Sequence, residues 1–307
     1  MRVDVEVWKR KDVNLSRPGR PTHPRPRRRT IASHRTDSAP LLRTALAAAE
    51  AAARVHSRWS GRVGMEGADT KGRSDFVSRA DLEAQEAALA VIRERHPGDR
   101  VMAEEDDPDV AALLDGAGDT PVWVVDPLDG TTNFLHAHPM YAASVAAAVR
   151  GRPVAGAVVC PQTGERWWAS RNGGAWKNGL RLEVSSLADP AEALVGTGFP
   201  FKRLDLLDDY LRQLGRMLRR TGGVRRGGAA AIDLCYLAEG RFDGFWELFL
   251  NPWDFAAGML VVEEAGGVME RPDGSPLELT PGGVLGANGL AMRDALRAVV
   301  TLEQLDA

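Results

Sequence analysis

Residues 122–134 read VWVVDPLDGTTNF, and this stretch limits the fold more than any other in the chain. Val122, Trp123, Val124 and Val125 form an unbroken apolar run, the pattern of a strand covered on both faces. The run empties into Asp126 and Asp129, separated by Pro127 and Leu128, and then into Gly130-Thr131-Thr132-Asn133. Two carboxylates taken out of water together repel one another and lose hydration, so the pair calls for a cation or strong donors between them. Pro127 fixes its own φ and offers only a carbonyl, which holds the turn in one shape. Both acids and the Leu128 carbonyl can then converge on a hard cation. Ligation by oxygen alone suits Mg²⁺ or Mn²⁺ rather than zinc or copper. Gly130 allows close backbone approach, and a helix starting near Thr131 would turn free N–H groups toward a phosphate. The same residues also fit a plain acidic strand-to-helix turn with Asp129 as its N-cap.

A chain of 307 residues has room for one large domain or two fused lobes. Its hydrophobic content of 44% and charged content of 26% are those of a soluble globular protein. No run of roughly 18 apolar residues suggests a membrane span. Cys160 and Cys235 lie far apart in apolar contexts and read as reduced, structural thiols of a cytoplasmic protein. The formal charge of −3 is unevenly spread. Residues 1–40 hold eleven Lys and Arg against four Asp and Glu, net +7, which leaves −10 on residues 41–307. This head contains RPGRPTHPRPRRR, has almost nothing to bury and lacks the apolar core of a secretory signal. It reads as a disordered or loosely attached extension, with nucleic-acid contact through its arginines as the other reading.

Residues 41–59 are alanine-rich with apolar positions three and four apart, which predicts a helix. Residues 61–72 read as a glycine-containing loop, and Asp81 as the N-cap of a helix over 82–96. A short strand at 100–103 runs into Glu104-Glu105-Asp106-Asp107, a solvated acidic loop or a source of ligands. Strands at 140–149, 154–159 and 165–170 predict an antiparallel meander, and Asn178-Gly179 a tight hairpin turn. His136 and His138 have no third nitrogen or sulfur ligand to make a metal site with them. From residue 182 strand and helix alternate: a strand at 194–199, an amphipathic helix at 204–219, and a glycine-led helix start at Arg225-Arg226-Gly227-Gly228. A strand at 242–247 follows, then a helix opened by Asn251-Pro252-Trp253-Asp254, where Asp254 suits simple capping. A last strand at 284–287 and a helix at 292–302 complete the chain.

Taken together, KGRSDFVSRAD, AEED, WVVDPLDGTTNF, NGGAWKNG, TGFP, RRGGAAAIDLCYLAEGRFDGFWE and NPWDFAAGMLVVEEAGG resemble the inositol monophosphatase family of metal-dependent, lithium-sensitive phosphatases. The resemblance covers residues 41–302 in order. It implies an α/β fold of the inositol monophosphatase and fructose-1,6-bisphosphatase type, a layered αβαβα sandwich. It places an α+β lobe at 41–181 and an α/β lobe at 182–307, after the 1–40 extension. It implies Glu104, Asp126, Asp129, Asp254 and the Leu128 carbonyl as ligands of two Mg²⁺ ions, with a third, weaker ion near Glu104 common in the family and Mn²⁺ as a substitute. Asp81 and Thr131 resemble the pair that orients the attacking water, with Glu104 as a further catalytic position. Gly130, Thr131 and Thr132 resemble the phosphate contacts. Gly228, Ala229, Ala230 and Glu247 resemble the contacts to sugar or cyclitol hydroxyls.

The expected activity is hydrolysis of a small phosphate monoester, foremost inositol 1-phosphate, by a homodimer in the cytoplasm with no membrane contact. Two divalent ions can activate water, neutralise the phosphate and receive the leaving oxygen, which agrees with the lack of a Cys or Ser nucleophile constellation. Relatives acting on adenosine bisphosphates or histidinol phosphate tend to carry lysine where this chain has Thr132, which favours the inositol branch. Ala229 departs from the Ser or Thr that many members have. A broader sugar-phosphate phosphatase, fructose-1,6-bisphosphatase among them, and a nucleic-acid-associated regulator are the alternatives.

Overall fold

Alanine sets the first layer. In the computed structural model, which describes residues 38–64, 68–72 and 75–301, the chain enters as helix α1 (Ser38–Trp59). Ala45, Ala48, Ala49 and Ala52 recur on one face of α1 and are fully buried, so the helix can lie close on the sheet beneath it. The basic head falls on residues 1–37 for nearly all its length and lies outside the described residues.

Strand β1 (Ala68–Gly72) falls within the predicted loop 61–72 and pairs with β2 (Asp75–Ser78) just beyond it. These short strands carry no alternating signal; pairing with one another is what makes them strands. Helix α2 (Arg79–Arg95) begins earlier than predicted. Ser78 is its N-cap, and Asp81 is the N3 acid of a capping box rather than the cap itself. Strand β3 (Arg100–Ala103), a 3₁₀ turn (Glu104–Asp106) and helix α3 (Val110–Leu114) lead to β4 (Val122–Asp129). Helix α4 (Thr131–Leu135) follows, then the meander β5 (Ala142–Val149), β6 (Arg152–Cys160), β7 (Glu165–Ser170), β8 (Gly174–Lys177) and β9 (Leu180–Arg181). Asn178 and Gly179, with φ of 48° and 86°, make the tight turn between β8 and β9.

The rest of the chain alternates: β10 (Leu194–Thr197), α5 (Leu207–Arg220), β11 (Gly223–Arg225), α6 (Ala230–Ala238), β12 (Gly244–Leu250), α7 (Pro252–Glu264), β13 (Val268–Glu270), β14 (Gly282–Ala287) and α8 (Leu290–Thr301). Several details differ from the sequence expectation. A 3₁₀ turn (Leu204–Leu206) precedes α5, β12 lies a few residues later, and the three-residue strands β11 and β13 were not expected. Both of those short strands are sheet edges, where hydrogen bonding to one neighbour outweighs any local pattern.

Two sheets result. One has the order β3-β4-β5-β6-β7-β8-β9, with only β3 and β4 parallel; the other has the order β11-β10-β12-β14-β13. Strand β4 is buried along its whole length, and its side chains divide between two cores. Trp123 and Val125 face α1 and α2, while Val122 and Val124 join the core shared with α6 and α7. On the far side of the second sheet, Trp246 and Leu285 pack with Tyr210 and Met217 of α5 and Met292 and Leu296 of α8. The layers are therefore α1/α2, the seven-stranded sheet, α6/α7, the five-stranded sheet and α5/α8, an αβαβα sandwich. Among the described residues no helix is long and apolar enough to cross a membrane, and Cys160 and Cys235 are buried free thiols.

Candidate active site

The carboxyl ends of β3, β4, β10 and β12 meet the starts of α4, α6 and α7 around one cavity of about 420 Å³. In open α/β architectures this end of the strands is where ligands bind. Glu104, Asp126, Leu128, Asp129, Gly130, Thr131, Thr132, Gly228, Ala229, Ala230, Glu247 and Asp254 all line it, so every predicted site residue but one is on its wall. The exception is Asp81, which is 1% exposed and sits behind the wall.

The DPLD turn is pinned at several of its polar groups. Asp126 Oδ1 accepts the Leu128 N–H at 3.0 Å, and the Pro127 carbonyl lies 2.7 Å from His56 Nε2. The Leu128 carbonyl accepts the Thr131 hydroxyl at 3.1 Å, and the same hydroxyl reaches Asp81 Oδ1 at 2.9 Å. Asp81 Oδ2 is held in turn by the N–H and hydroxyl of Ser78, at 2.8 and 2.6 Å. Strand β4 slips register between Asp126 and Asp129, which turns the two acids out of the regular ladder. Gly130 follows with φ of 90°, and a Cβ there would come within 2.8 Å of the Met140 carbonyl. Only glycine fits that position.

Asp129 is not the N-cap of α4; Gly130 occupies that position. Asp129 instead accepts the Ala231 N–H at 2.8 Å, at the start of α6, where Ala229 has no side chain to cap the helix. Asp254 is the N3 acid of α7 and accepts the Asn251 N–H at 2.7 Å, so it serves as a cap and also faces the cavity. Glu104 is presented by the 3₁₀ turn, which Gln85 of α2 holds from the Glu105 N–H at 3.0 Å and from Asp106 at 2.9 Å. Helix α4 has five residues, so what it offers a phosphate is its free N–H groups rather than a summed dipole.

Electrostatics mark the acids as a strained set. Burial, then the charges of Glu104, Asp129 and Asp254, push Asp126 well above the usual carboxylate range. Burial likewise raises Asp129 to about 7 and Asp81 to about 6. Glu247 and Asp233 are also driven well above the usual range, burial first and neighbouring carboxylates next. Among the described residues no group of three or more acids, histidines or cysteines is already gathered as a metal nest. The donor set nonetheless fits a hard cation. It is all oxygen and strongly acidic, and its members repel one another, so a divalent ion would relieve the repulsion as it drew them together. Glu104, Asp126, Asp129, Asp254 and the Leu128 carbonyl are the groups that could hold it.

Two residues of this site escaped the sequence reading. His56 is fully buried on the alanine face of α1, against Phe134 and Tyr141, and fixes the turn through Pro127. Asp233 is the lone acid of the apolar helix α6 and lines the cavity. A single polar residue on an otherwise apolar helical face was the available signal in both cases.

The fold is that of the layered α/β phosphatases. The chain belongs to the inositol monophosphatase family, whose members are phosphatases and generally use Mg²⁺; the family profile matches residues 37–304. A protein named Nus factor SuhB from Pseudomonas aeruginosa is 39% identical over 264 residues, covering 85% of this chain and 96% of that protein. An inositol-1-monophosphatase of Mesorhizobium japonicum is 38% identical, covering 84% and 96%. Among solved structures, extragenic suppressor protein SuhB from Bartonella henselae superposes with a TM-score of 0.77 at 34% identity, covering 85% of this chain and 98% of that one. An inositol monophosphatase from Anabaena superposes with a TM-score of 0.75 at 30% identity, covering 86% and 96%.

Proposed function

We propose that this protein is a Mg²⁺-dependent phosphomonoesterase whose principal substrate is a polyol phosphate such as inositol 1-phosphate. One observation carries the reading: acids from the ends of β3 and β4 and the start of α7 line a single cavity with Gly130, Thr131 and Thr132 at the start of α4. When bound, the cations would supply an activated water, neutralise the phosphate and receive the leaving oxygen. Asp126 is the central holder, with Glu104 beside it and Asp129 and Asp254 completing the set. The N–H groups at Gly130, Thr131 and Thr132 bind the phosphate oxygens. The Thr131 hydroxyl donates toward Asp81 and Leu128, so its oxygen is left to accept from a water and orient it. That water's oxygen forms the new bond to phosphorus as the ester bond breaks on the opposite side; one of the water's protons ends on the departing oxygen, which leaves as the alcohol, and the other stays on the hydrogen phosphate. Glu247 and the turn at Gly228, Ala229 and Ala230 bind the hydroxyls of the polyol.

The test is phosphate release from a panel of inositol, sugar and nucleotide phosphates. Activity should need Mg²⁺, vanish with chelator and return when the ion is restored. Flat activity across the panel would remove the inositol preference, and none at all with Mg²⁺ would remove the phosphatase. Light scattering reads the homodimer proposed with it.

A second reading has its own support, because several similar relatives bear the name Nus factor and the head is basic. It makes the chain a nucleic-acid-associated regulator. RNA binding that weakens with salt and is lost on deleting residues 1–40 is the expected result; no binding at low salt dismisses it.

A further inference from the structure

Helix α1 gives one position of its alanine face to a histidine, and the contact made there leads to Asp126. His56 is fully buried, its ring 5.8 Å from that of Tyr141 and 6.2 Å from that of Phe134, which meet edge to face at 5.0 Å. Leu128 packs with both of those rings. The buried Nδ1 of His56 has no hydrogen-bond partner among the described residues, so the imidazole loses hydration that nothing there replaces. An apolar side chain would suit this face better. Burial, opposed by the bond to Pro127, pushes the ring from 6.5 down to about 4, so at pH 7 it is neutral and carries one proton. A carbonyl can only accept, and Nε2 lies 2.7 Å from the Pro127 oxygen, so that proton belongs on Nε2.

The Pro127 carbonyl and the Leu128 N–H are the two ends of one planar peptide group. His56 holds the first end, and the second donates to Asp126 Oδ1 at 3.0 Å. Proline fixes its own φ but leaves this plane free to turn, so a hold at both ends is what sets its tilt. The groups form a chain, imidazole N–H to carbonyl and then amide N–H to carboxylate, in which each bond polarises the next. With Oδ1 tied, the Asp126 carboxylate cannot rotate and its second oxygen keeps one direction. Neither His56 nor Pro127 lines the cavity, so the ring acts on Asp126 only through the peptide.

We propose that His56 is a positioning residue for the cation site: by holding the 127–128 peptide from behind, it presets the Asp126 carboxylate and so raises the affinity for a divalent ion. This rests on the reading of the DPLD turn as a holder of cations. The test is calorimetric titration of Mg²⁺ into the metal-free, full-length protein, without substrate, for wild type, His56→Leu and His56→Gln. His56→Leu keeps most of the bulk and loses the N–H, and Mg²⁺ should bind about tenfold or more weakly, the range for losing a partner that supports a metal ligand. His56→Gln keeps an N–H donor and should regain part of that affinity. A merely structural histidine would instead lower the unfolding temperature on replacement and leave the affinity alone. Wild-type affinity in a folded His56→Leu overturns the proposal. So does a His56→Gln no better than His56→Leu, which would trace the loss to packing. Nitrogen NMR of the wild-type ring at pH 7 reads the contact without any variant: a proton on Nε2 supports the proposal, and one on Nδ1 overturns it. Wild type that takes up no Mg²⁺ sinks the cation reading together with the proposal, whereas equally tight binding by wild type and His56→Leu sinks the proposal alone.

Discussion

Helices α2 and α7 begin in the same way and end up with different duties. Each has a polar N-cap, Ser78 or Asn251, and each has an aspartate at N3 that takes the backbone N–H of its cap. At α7 that aspartate, Asp254, stands on the cavity wall where its charge acts on Asp126. At α2 it lies one side chain back, and Asp81 reaches the cavity only through the Thr131 hydroxyl. The capping box is thus a requirement of the helix start, and the chemistry comes from what the second face of the carboxylate meets.

The comparison breaks most visibly at Asp254. Asp254→Asn keeps an acceptor for the cap but loses the charge, so turnover with Mg²⁺ should fall by about 10³-fold or more while stability changes by about 1 kcal/mol or less. Retention of near-normal rates would return Asp254 to plain capping. Asp81→Asn should cost less, roughly 10²-fold in kcat with KM little changed, the range for a group that positions a proton. Equal losses at the two positions would erase the distinction drawn between them.

Stability against pH sharpens it further. Burial raises Asp81 from an ordinary 3.8 to about 6 in the folded protein. Its proton is therefore held more tightly folded than unfolded, and its contribution is full below about pH 3.8 and lost as pH rises through about 6. That difference corresponds to roughly 3 kcal/mol. Urea unfolding of the metal-free protein between pH 4 and pH 7 should show a shallower fall for Asp81→Asn than for wild type; parallel curves would mean that Asp81 is not desolvated. The smallest effect should come from the caps themselves. Ser78→Ala and Asn251→Ala should each lose about 1 kcal/mol in the same assay, and a much larger loss at one of them would show that its helix start does more than satisfy N–H groups.

Much of this was legible because the informative residues are consecutive. The run 122–125 announces a strand covered on both faces, and the split of Trp123 and Val125 from Val122 and Val124 between two cores is the physical content of that pattern. The acids of the DPLD turn, and Glu104 after a short strand, stand out for a similar reason: charge directly follows apolar chain. Partnerships between distant segments were not legible. Nothing local to Asp129 says that it bonds to Ala231, and nothing local to His56 says that it fixes Pro127. The misplaced cap of α2 is a milder case. Asp81 and Ser78 are both good caps by residue type, and only the hydrogen bonds separate the two roles.

The bond from Asp129 to the Ala231 N–H has a consequence for how such a sequence can change. A helix with alanine at its own start is relying on an acid a hundred positions away, so the two sites are no longer independent. A hydroxyl introduced at position 229 would compete for the same N–H and free the carboxylate. Losing the acid while 229 stays alanine would leave the helix frayed beneath the substrate. Position 129 thus carries a helix start as well as its place on the cavity wall, and a change there should be felt in both.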